Sequence, residues 1–329
     1  MKLLILGTGS MARAHAMAFA RIRGVSVVAA VETNEARLGS FCDEHKIANR
    51  FTDLDKAIAW GKFDASANVT PDAVHHPTTM KLIAAGKHVF CEKPLALQPS
   101  DCDRAVAVAA DHPRQVLMVG FMRRFDPAYA DAKRRIDAGE LGEVFAIRCV
   151  SEDPVDPEGF FVRFAPTSGG IFLDCCIHDI DLVRWMLGGA ETAAVDAVGS
   201  RIMYPALGAC GDIDTASANV AFKGGQIATF FVSRTSHRGY EASMRIVGDK
   251  GALDIGVGIP RLPMKWESDG RSSTVGQVDF FERFGEAFLL EARAFVKAIQ
   301  SGEPTPISLK DAREATRLAC AMRDALKLG

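Results

Sequence analysis

Lys2-Leu3-Leu4-Ile5-Leu6-Gly7-Thr8-Gly9-Ser10-Met11-Ala12 opens the chain with a short apolar run that breaks directly into the pattern GxGxxA. The run, Lys2 to Leu6, reads as a buried strand, and a helix follows from about Met11 to Arg23. Gly7 permits the tight turn, Gly9 lets a pyrophosphate approach the backbone, and Ala12 allows close packing of helix on strand. The unpaired N–H groups and positive dipole end at Ser10 and Met11, with Thr8 in the loop, are where a phosphate would rest. Such a pattern alone is weak, because glycines also serve plain turns. Here a second strand, Val25 to Val31, ends in Glu32, 20 residues past Ala12. An acid at that distance accepts hydrogen bonds from the adenosine ribose hydroxyls and repels a 2′-phosphate. The stretch therefore predicts a dinucleotide site that prefers NAD. NADP is the alternative, because Arg37 lies near the same strand end, as either a phosphate ligand or a solvated helix residue.

Outward from this stretch the alternation continues. Helices are expected near Asn34 to His45, Leu54 to Trp60, Pro77 to Ala85 and Pro99 to Ala110. Strands are expected near Arg50 to Phe51, at Ala65 to Val69, up to Glu92, and at Val116 to Gly120. This order implies a doubly wound parallel sheet over residues 1–120, with its ligand at the carboxyl ends of the strands. Gly7, Glu32, Thr70 and Lys93 all fall at such ends. Lys93 precedes Pro94, and a residue before proline is pushed to extended backbone. It reads either as a solvated lysine or as an amine with a restricted aim, and the shared strand-end position favours the second.

After about Gly120 the texture changes. A helix, Pro127 to Ala138, leads to a strand, Val144 to Val150, and then to the loop Asp153-Pro154-Val155-Asp156-Pro157. Gly169 to Leu187 reads as helical. Strands recur at Val195 to Ser200, Ala216 to Phe222, Ile227 to Ser233 and Ala242 to Val247, with turn glycines between the later ones. Two helices close the chain, Phe281 to Gln300 and Leu309 to Leu326. The fold expected is α/β: a Rossmann domain over 1–120, then an α+β domain over 121–329 with a largely antiparallel open sheet. The closing helices are free to join either domain.

Bulk properties agree with two cores and a small-molecule partner. A chain of 329 residues exceeds what one core usually serves. A net charge of −2 gives no electrostatic case for nucleic acid or an anionic membrane. No apolar stretch approaches the ~20 residues that span a bilayer, and the first apolar run is too short for a secretory signal, so a cytoplasmic protein is expected. Eight cysteines are scattered without a CxxC pair or a cluster with histidine, which argues against a metal site and a disulfide framework.

Within Gly169 to Trp185, Asp174 and His178 stand four residues apart, so on one helix they would share a face. A carboxylate beside an imidazole orients it and favours its protonated form, as a dehydrogenase base requires when it takes a hydroxyl proton. The competing reading is a surface ion pair worth only ~0.3 to 0.5 kcal/mol.

Thr70-Pro71-Asp72-Ala73-Val74-His75, Ala85-Gly86-Lys87-His88-Val89 and Glu92-Lys93-Pro94 resemble the nucleotide-domain signature of the Gfo/Idh/MocA oxidoreductases. Gly120-Phe121-Met122-Arg123-Arg124-Phe125-Asp126 and Gly169 to Trp185 are similar to inositol 2-dehydrogenases within that family. The resemblance implies NAD(P)-dependent oxidation of a secondary hydroxyl on a cyclitol or sugar, in a homodimer or homotetramer built on the open sheet. It implies that Lys93 hydrogen-bonds the reacting oxygen and relays its proton, that His178 is the general base, and that Asp174 holds His178 or the substrate. Pro71, His75 and Glu92 join Thr70 on the cofactor side, and Arg123 and Asp153 match positions that contact substrate hydroxyls. The chain departs from the family at Asp72, where asparagine is common, and at Phe284 and Phe288, where tyrosines are common. Another aldose, ketose or anhydrosugar is the alternative substrate. A catalytically silent nucleotide sensor is the alternative function, and the joint presence of Lys93, Asp174 and His178 argues against it.

Overall fold

Strand β1 (Lys2–Leu6) lies inside the first sheet, with Leu3, Leu4 and Ile5 wholly buried. A parallel strand covered on both faces reads as a continuous apolar run, not an alternating one. In the computed structural model, which describes residues 1–237, 239–256, 264–268, 271–275 and 280–328, the chain divides into two compact units. The first comprises Met1–Asp126, Thr167–Gly169 and Gly285–Cys320; the second comprises Pro127–Pro166, Gly170–Phe284 and the residues from Ala321 on.

In the first unit β1 is followed by α1 (Ser10–Ala20), β2 (Ser26–Val31), α2 (Glu35–Glu44), β3 (Asn49–Phe51) and α3 (Leu54–Trp60). Then come β4 (Ala65–Asn68), α4 (Asp72–Ala84), β5 (His88–Glu92), α5 (Pro99–Asp111) and β6 (Leu117–Gly120). The six strands pair in parallel in the order β3-β2-β1-β4-β5-β6. The order reverses between β1 and β4, and a doubly wound sheet binds its ligand outside such a switch point. Helix starts follow from side-chain caps: Asn34 accepts from the Arg37 N–H at 3.0 Å, and Asp53 from the Asp55 and Lys56 N–H groups at 2.6 and 3.2 Å. Helix α4 begins at Asp72, five residues before the expected start at Pro77, because Pro77 is accommodated inside it at the loss of one donor.

The second unit holds α6 (Pro127–Asp137), β7 (Val144–Pro154), α7 (Phe160–Ser168, whose end groups with the first unit), α8 (Ile171–Asp174) and α9 (Ile177–Met186). After these come β8 (Thr192–Ser200), β9 (Thr215–Phe222), β10 (Ile227–Ser236), β11 (Glu241–Gly248), β12 (Ala252–Ile255) and a hairpin of β13 (Met264–Ser268) and β14 (Arg271–Val275). Helices α10 (Phe280–Ser301) and α11 (Leu309–Asp324) and the short β15 (Leu326–Leu328) end the chain. The larger sheet has the order β12-β11-β7-β10-β9-β8-β15. It is mixed: β7 with β10 and β8 with β15 are parallel, and the other pairs are antiparallel. Strand β7 continues past the expected end at Val150 because β10 keeps it paired, with Ser233 opposite Glu152 and Ser236 opposite Pro154.

Residues 285–320 of the closing helices group with the parallel sheet. There the Phe295 ring stands edge-on to Phe19 and Phe90 at 6.2 and 5.9 Å between centroids. Such aromatic pairs contribute ~0.5–1.5 kcal/mol each beyond their buried area.

Candidate active site

Gly7, directly after β1, has φ of +94°, and a Cβ there would lie 2.4 Å from the Val69 carbonyl oxygen. The ends of β1 and β4 therefore approach as only glycine allows. Gly9 precedes α1 at its N-cap, no side chain caps that helix, and a Cβ on Gly9 would meet nothing within 4 Å. The first turn of α1 thus begins on bare backbone, with open space beside Gly9. Unlike α2 and α3, whose N-cap side chains accept backbone N–H groups, α1 starts with no side-chain acceptor, and a helix start of this kind suits an anion.

Glu32, just past β2, is fixed from several sides. Its Oε2 accepts from Thr8 Oγ1 at 2.9 Å; its Oε1 accepts from the Asn34 N–H at 3.0 Å, Arg37 at 3.1 Å and Thr33 Oγ1 at 3.3 Å. Burial pushes the carboxyl up, but these hydrogen bonds and the Arg37 charge outweigh it and hold Glu32 below its ordinary value. An ionised carboxylate at this strand end and an open pyrophosphate cradle at α1 suit the ribose diol and phosphates of NAD.

The loops after β4 and β5 are tied together. Thr70 Oγ1 donates to Asn68 Oδ1 at 2.8 Å, Pro71 caps α4, and Asp72 is buried in its first turn, where the helix dipole favours a carboxylate. His75 is only 1% exposed, with one ring nitrogen 2.7 Å from the Thr70 carbonyl oxygen and the other 2.8 Å from that of Pro94. Burial pulls this imidazole below its ordinary value against the opposing pull of both carbonyls. His75 thus packs between the two loops, and its neutral ring, with one N–H, donates to one of the two carbonyls.

Glu92 is a brace. It is buried, its Oε2 accepts from the Lys93 N–H at 2.9 Å, and its Oε1 lies 2.6 Å from His15 Nε2. Burial pushes this carboxyl up, but the hydrogen bond and charge of His15 and the charge and N–H of Lys93 hold it below its ordinary value. The backbone of half-buried Lys93 is therefore held by Glu92 on one side, while the Pro94 carbonyl is engaged by His75 on the other. His15 was not among the expected site residues, although its signal was present: it shares the buried face of α1 with Ala12, Ala16 and Phe19. Arg123 sits in a 3-10 turn, Met122–Phe125, and is 3% exposed, so it is not a solvated strand-end arginine.

In the second unit the expected continuous helix is two. The N–H groups of Cys175 and Cys176 both bond to the Ile171 carbonyl at 3.0 and 3.1 Å, which closes α8 at Asp174. The Asp179 N–H then bonds to the Cys176 carbonyl at 2.9 Å to open α9, where His178 is the second residue and 7% exposed. Asp174 and His178 therefore lie on successive helices, joined by two residues that keep right-handed helical backbone angles. Asp153, near the end of β7, is brought to Asp174 through Cys175, whose Sγ lies 3.2 Å from Asp153 Oδ2 and 3.6 Å from Asp174 Oδ2. Burial raises the Cys175 thiol well above its ordinary value and keeps it an S–H donor.

Two further residues complete this cluster. Arg234 donates to Asp174 Oδ2 at 2.9 Å and to Asp212 Oδ2 at 2.7 Å. The alternation of β10 offered a signal for Arg234, since Ala228, Phe230, Val232 and Arg234 share its buried face. Asp212, in a loop, offered none. Phe284 and Phe288 are both buried: Phe284 stands edge-on to Tyr240 at 6.2 Å, and Phe288 edge-on to His15 at 5.3 Å. Among the described residues no group of three or more His, Cys, Asp or Glu could hold a metal, and no helix is long and apolar enough to cross a membrane.

A switch-point glycine cradle, an ionised carboxylate beside it and a braced strand-end lysine define a dinucleotide-binding oxidoreductase. The chain belongs to the Gfo/Idh/MocA oxidoreductase family. Residues 1–121 match the family's NAD-binding Rossmann fold, and residues 129–254 match the Gfo/Idh/MocA C-terminal domain. A myo-inositol 2-dehydrogenase of Thermotoga maritima is 30% identical over 99% of this chain and 96% of its own. A scyllo-inositol 2-dehydrogenase (NAD(+)) of Bacillus subtilis is 34% identical over 92% and 87%. The crystal structure of scyllo-inositol dehydrogenase from Lactobacillus casei with bound NAD(H) and scyllo-inositol superposes with a TM-score of 0.91 at 33% identity, covering 99% of this chain and 96% of that one.

Proposed function

We propose that this oxidoreductase oxidises a secondary hydroxyl of a cyclitol or sugar, as an inositol 2-dehydrogenase does. The observation that carries the reading is the setting of Lys93, an amine at the carboxyl end of β5 whose backbone is locked by buried Glu92 and His15. Placing the reacting groups in advance is what a hydride-transfer enzyme contributes. Gly7, Thr8, Gly9, Ser10, Met11 and Ala12 would hold the pyrophosphate of NAD, Glu32 its ribose diol, and Thr70 and Pro71 its nicotinamide half. NAD, when bound, supplies the hydride acceptor. His75 and Glu92 serve the cofactor side by fixing the loops that carry Thr70 and Lys93.

On the substrate, Lys93 donates a hydrogen bond to the reacting oxygen and passes on its proton, His178 is the general base, and Asp174 holds His178 or a substrate hydroxyl. Arg123 and Asp153 bind further hydroxyls. A cytoplasmic homodimer or homotetramer belongs to the same reading: Val198, Ile227 and Phe231 are exposed and alternate with buried neighbours, so one face of the mixed sheet is left for a second copy.

The test is a screen of NAD and NADP reduction against cyclitols, aldoses and anhydrosugars, with the matching ketones offered to NADH. Reduction of NAD by a cyclitol is expected. Reduction only by an aldose or anhydrosugar would move the substrate class, and silence in both directions would remove the catalytic reading.

A further inference from the structure

We infer that Arg234, itself held by Asp212, is the positioning residue for Asp174, and that the two form a clamp closing on both ends of α8. The inference rests on the proposed role of Asp174. Helix α8 has four residues, Ile171–Asp174, too few to hold its own ends. Asp212 Oδ1 accepts from the Ile171 N–H at 2.9 Å, at the start of the helix. Asp212 Oδ2 accepts from Arg234 at 2.7 Å, and Arg234 donates through its other terminal nitrogen to Asp174 Oδ2 at 2.9 Å, at the end of the helix. The four groups make a closed ring. Gly170 makes room for it, since its φ is +93° and a Cβ there would lie 3.2 Å from Asp212 Oδ1.

The burial of these groups shows what the ring is for. The Arg234 side chain is 0% exposed, that of Asp212 5% and that of Asp174 17%. The guanidinium is covered by the Phe161 ring at 5.6 Å. A buried ion network of this kind is poor value as a source of stability, because well-packed apolar groups do as well or better. What it fixes is direction. One cation serves two carboxylates, and Asp174 is the more exposed of the two. Arg234 stays firmly protonated: burial works against its charge, but the Asp174 and Asp212 carboxylates outweigh it. A lysine at this position presents one point charge in place of a planar fork and cannot reproduce both bonds in the same geometry.

The test is a double-mutant cycle on the full-length enzyme with NAD and, in turn, myo-inositol and scyllo-inositol, using Arg234→Lys, Asp212→Asn and Asp174→Asn singly and paired. Arg234→Lys is expected to cut kcat by about 30-fold, while NADH affinity from fluorescence titration moves less than about 2-fold, and the same substitution should cost less than about 3-fold once Asp174→Asn is present, because coupled residues are not additive. Asp212→Asn keeps the cation and a donor-accepting oxygen, so it provides a folded variant with a smaller loss that should vanish in the same way. Equal losses in both backgrounds, or wild-type kinetics in both variants, overturn the clamp. Full turnover by Asp174→Asn alone would instead remove the parent assignment. A crystal structure of Arg234→Lys then decides the clamp without any activity: a displaced Asp174 carboxylate upholds it, and an unmoved one overturns it.

Discussion

Glu32→Ala should turn the cofactor preference from NAD toward NADP. In the wild-type protein Arg37 is two-thirds exposed but committed to Glu32 at 3.1 Å, while the Glu32 side chain is only 10% exposed, and in the proposed reading it holds the adenosine ribose. Removing the carboxylate takes away a charged acceptor for the ribose diol. Hydrogen bonds to charged groups are worth ~1.5–3 kcal/mol, so kcat/KM for NAD should fall about 10- to 100-fold. For NADP the same change removes a repulsion and frees Arg37 for the 2′-phosphate, a gain of about 10-fold if the new pair is worth ~1.4 kcal/mol. Breaking the Glu32–Arg37 pair costs little, because an ion pair whose arginine is two-thirds exposed is worth about 1 kcal/mol. Thr8 loses its acceptor, which adds ~1 kcal/mol to the loss of stability without unfolding the unit. The assay is steady-state kinetics with both cofactors, paired with fluorescence titration by NADH and NADPH, which needs no substrate. An unchanged NADH affinity, or an equal fall for both cofactors, would refute the reasoning.

Three other outcomes are expected. Gly7→Ala forces a side chain into the left-handed region and to within 2.4 Å of the Val69 oxygen, so it should lose ~2 kcal/mol or more of stability together with NADH binding; a thermal melt and a titration check both. Glu92 has its folded pKa depressed below the ordinary 4.5, so its contribution to stability is complete above that pH and is lost as pH falls through the lower folded value. The stability gap between wild type and Glu92→Gln, from urea unfolding, should therefore shrink as pH drops below 4.5, and a gap that widens on acidification would contradict the buried carboxylate. Burial pushes the thiols of Cys91 and Cys102 up to about 12 and about 11, whereas Cys210 is exposed. A thiol reagent at mild pH should label Cys210 rapidly, Cys210→Ser should abolish that phase, and Cys91 and Cys102 should react only on unfolding.

The first sheet was legible because its signals are local. GxGxxA, the acid at Glu32 and the alternation of apolar runs with helical segments each lie within one strand–helix unit, and the fold follows from their order. The second unit was less legible for a physical reason. The parallel pairing of β7 with β10 joins residues some 80 apart in sequence, such as Ala146 and Ile227, and no turn motif announces it. The break between α8 and α9 falls at Cys175-Cys176, where neither glycine nor proline interrupts the apolar pattern. The chemistry-bearing motifs were visible as residue types, but their supports were not: Asp174 meets Arg234 across 60 residues and Glu92 meets His15 across 77. Phe284 and Phe288, where tyrosines are common in the family, are buried rings.

The central claim is that Lys93 takes part in the oxidation of a secondary hydroxyl, and it is tested most directly by comparing wild type with Lys93→Ala in NADH formation from the best polyol of the screen. General acid–base groups typically contribute ~10²–10⁴ in rate, so the variant should lose at least about 100-fold in kcat while its NADH titration stays that of wild type. Turnover within a few-fold of wild type would contradict the account.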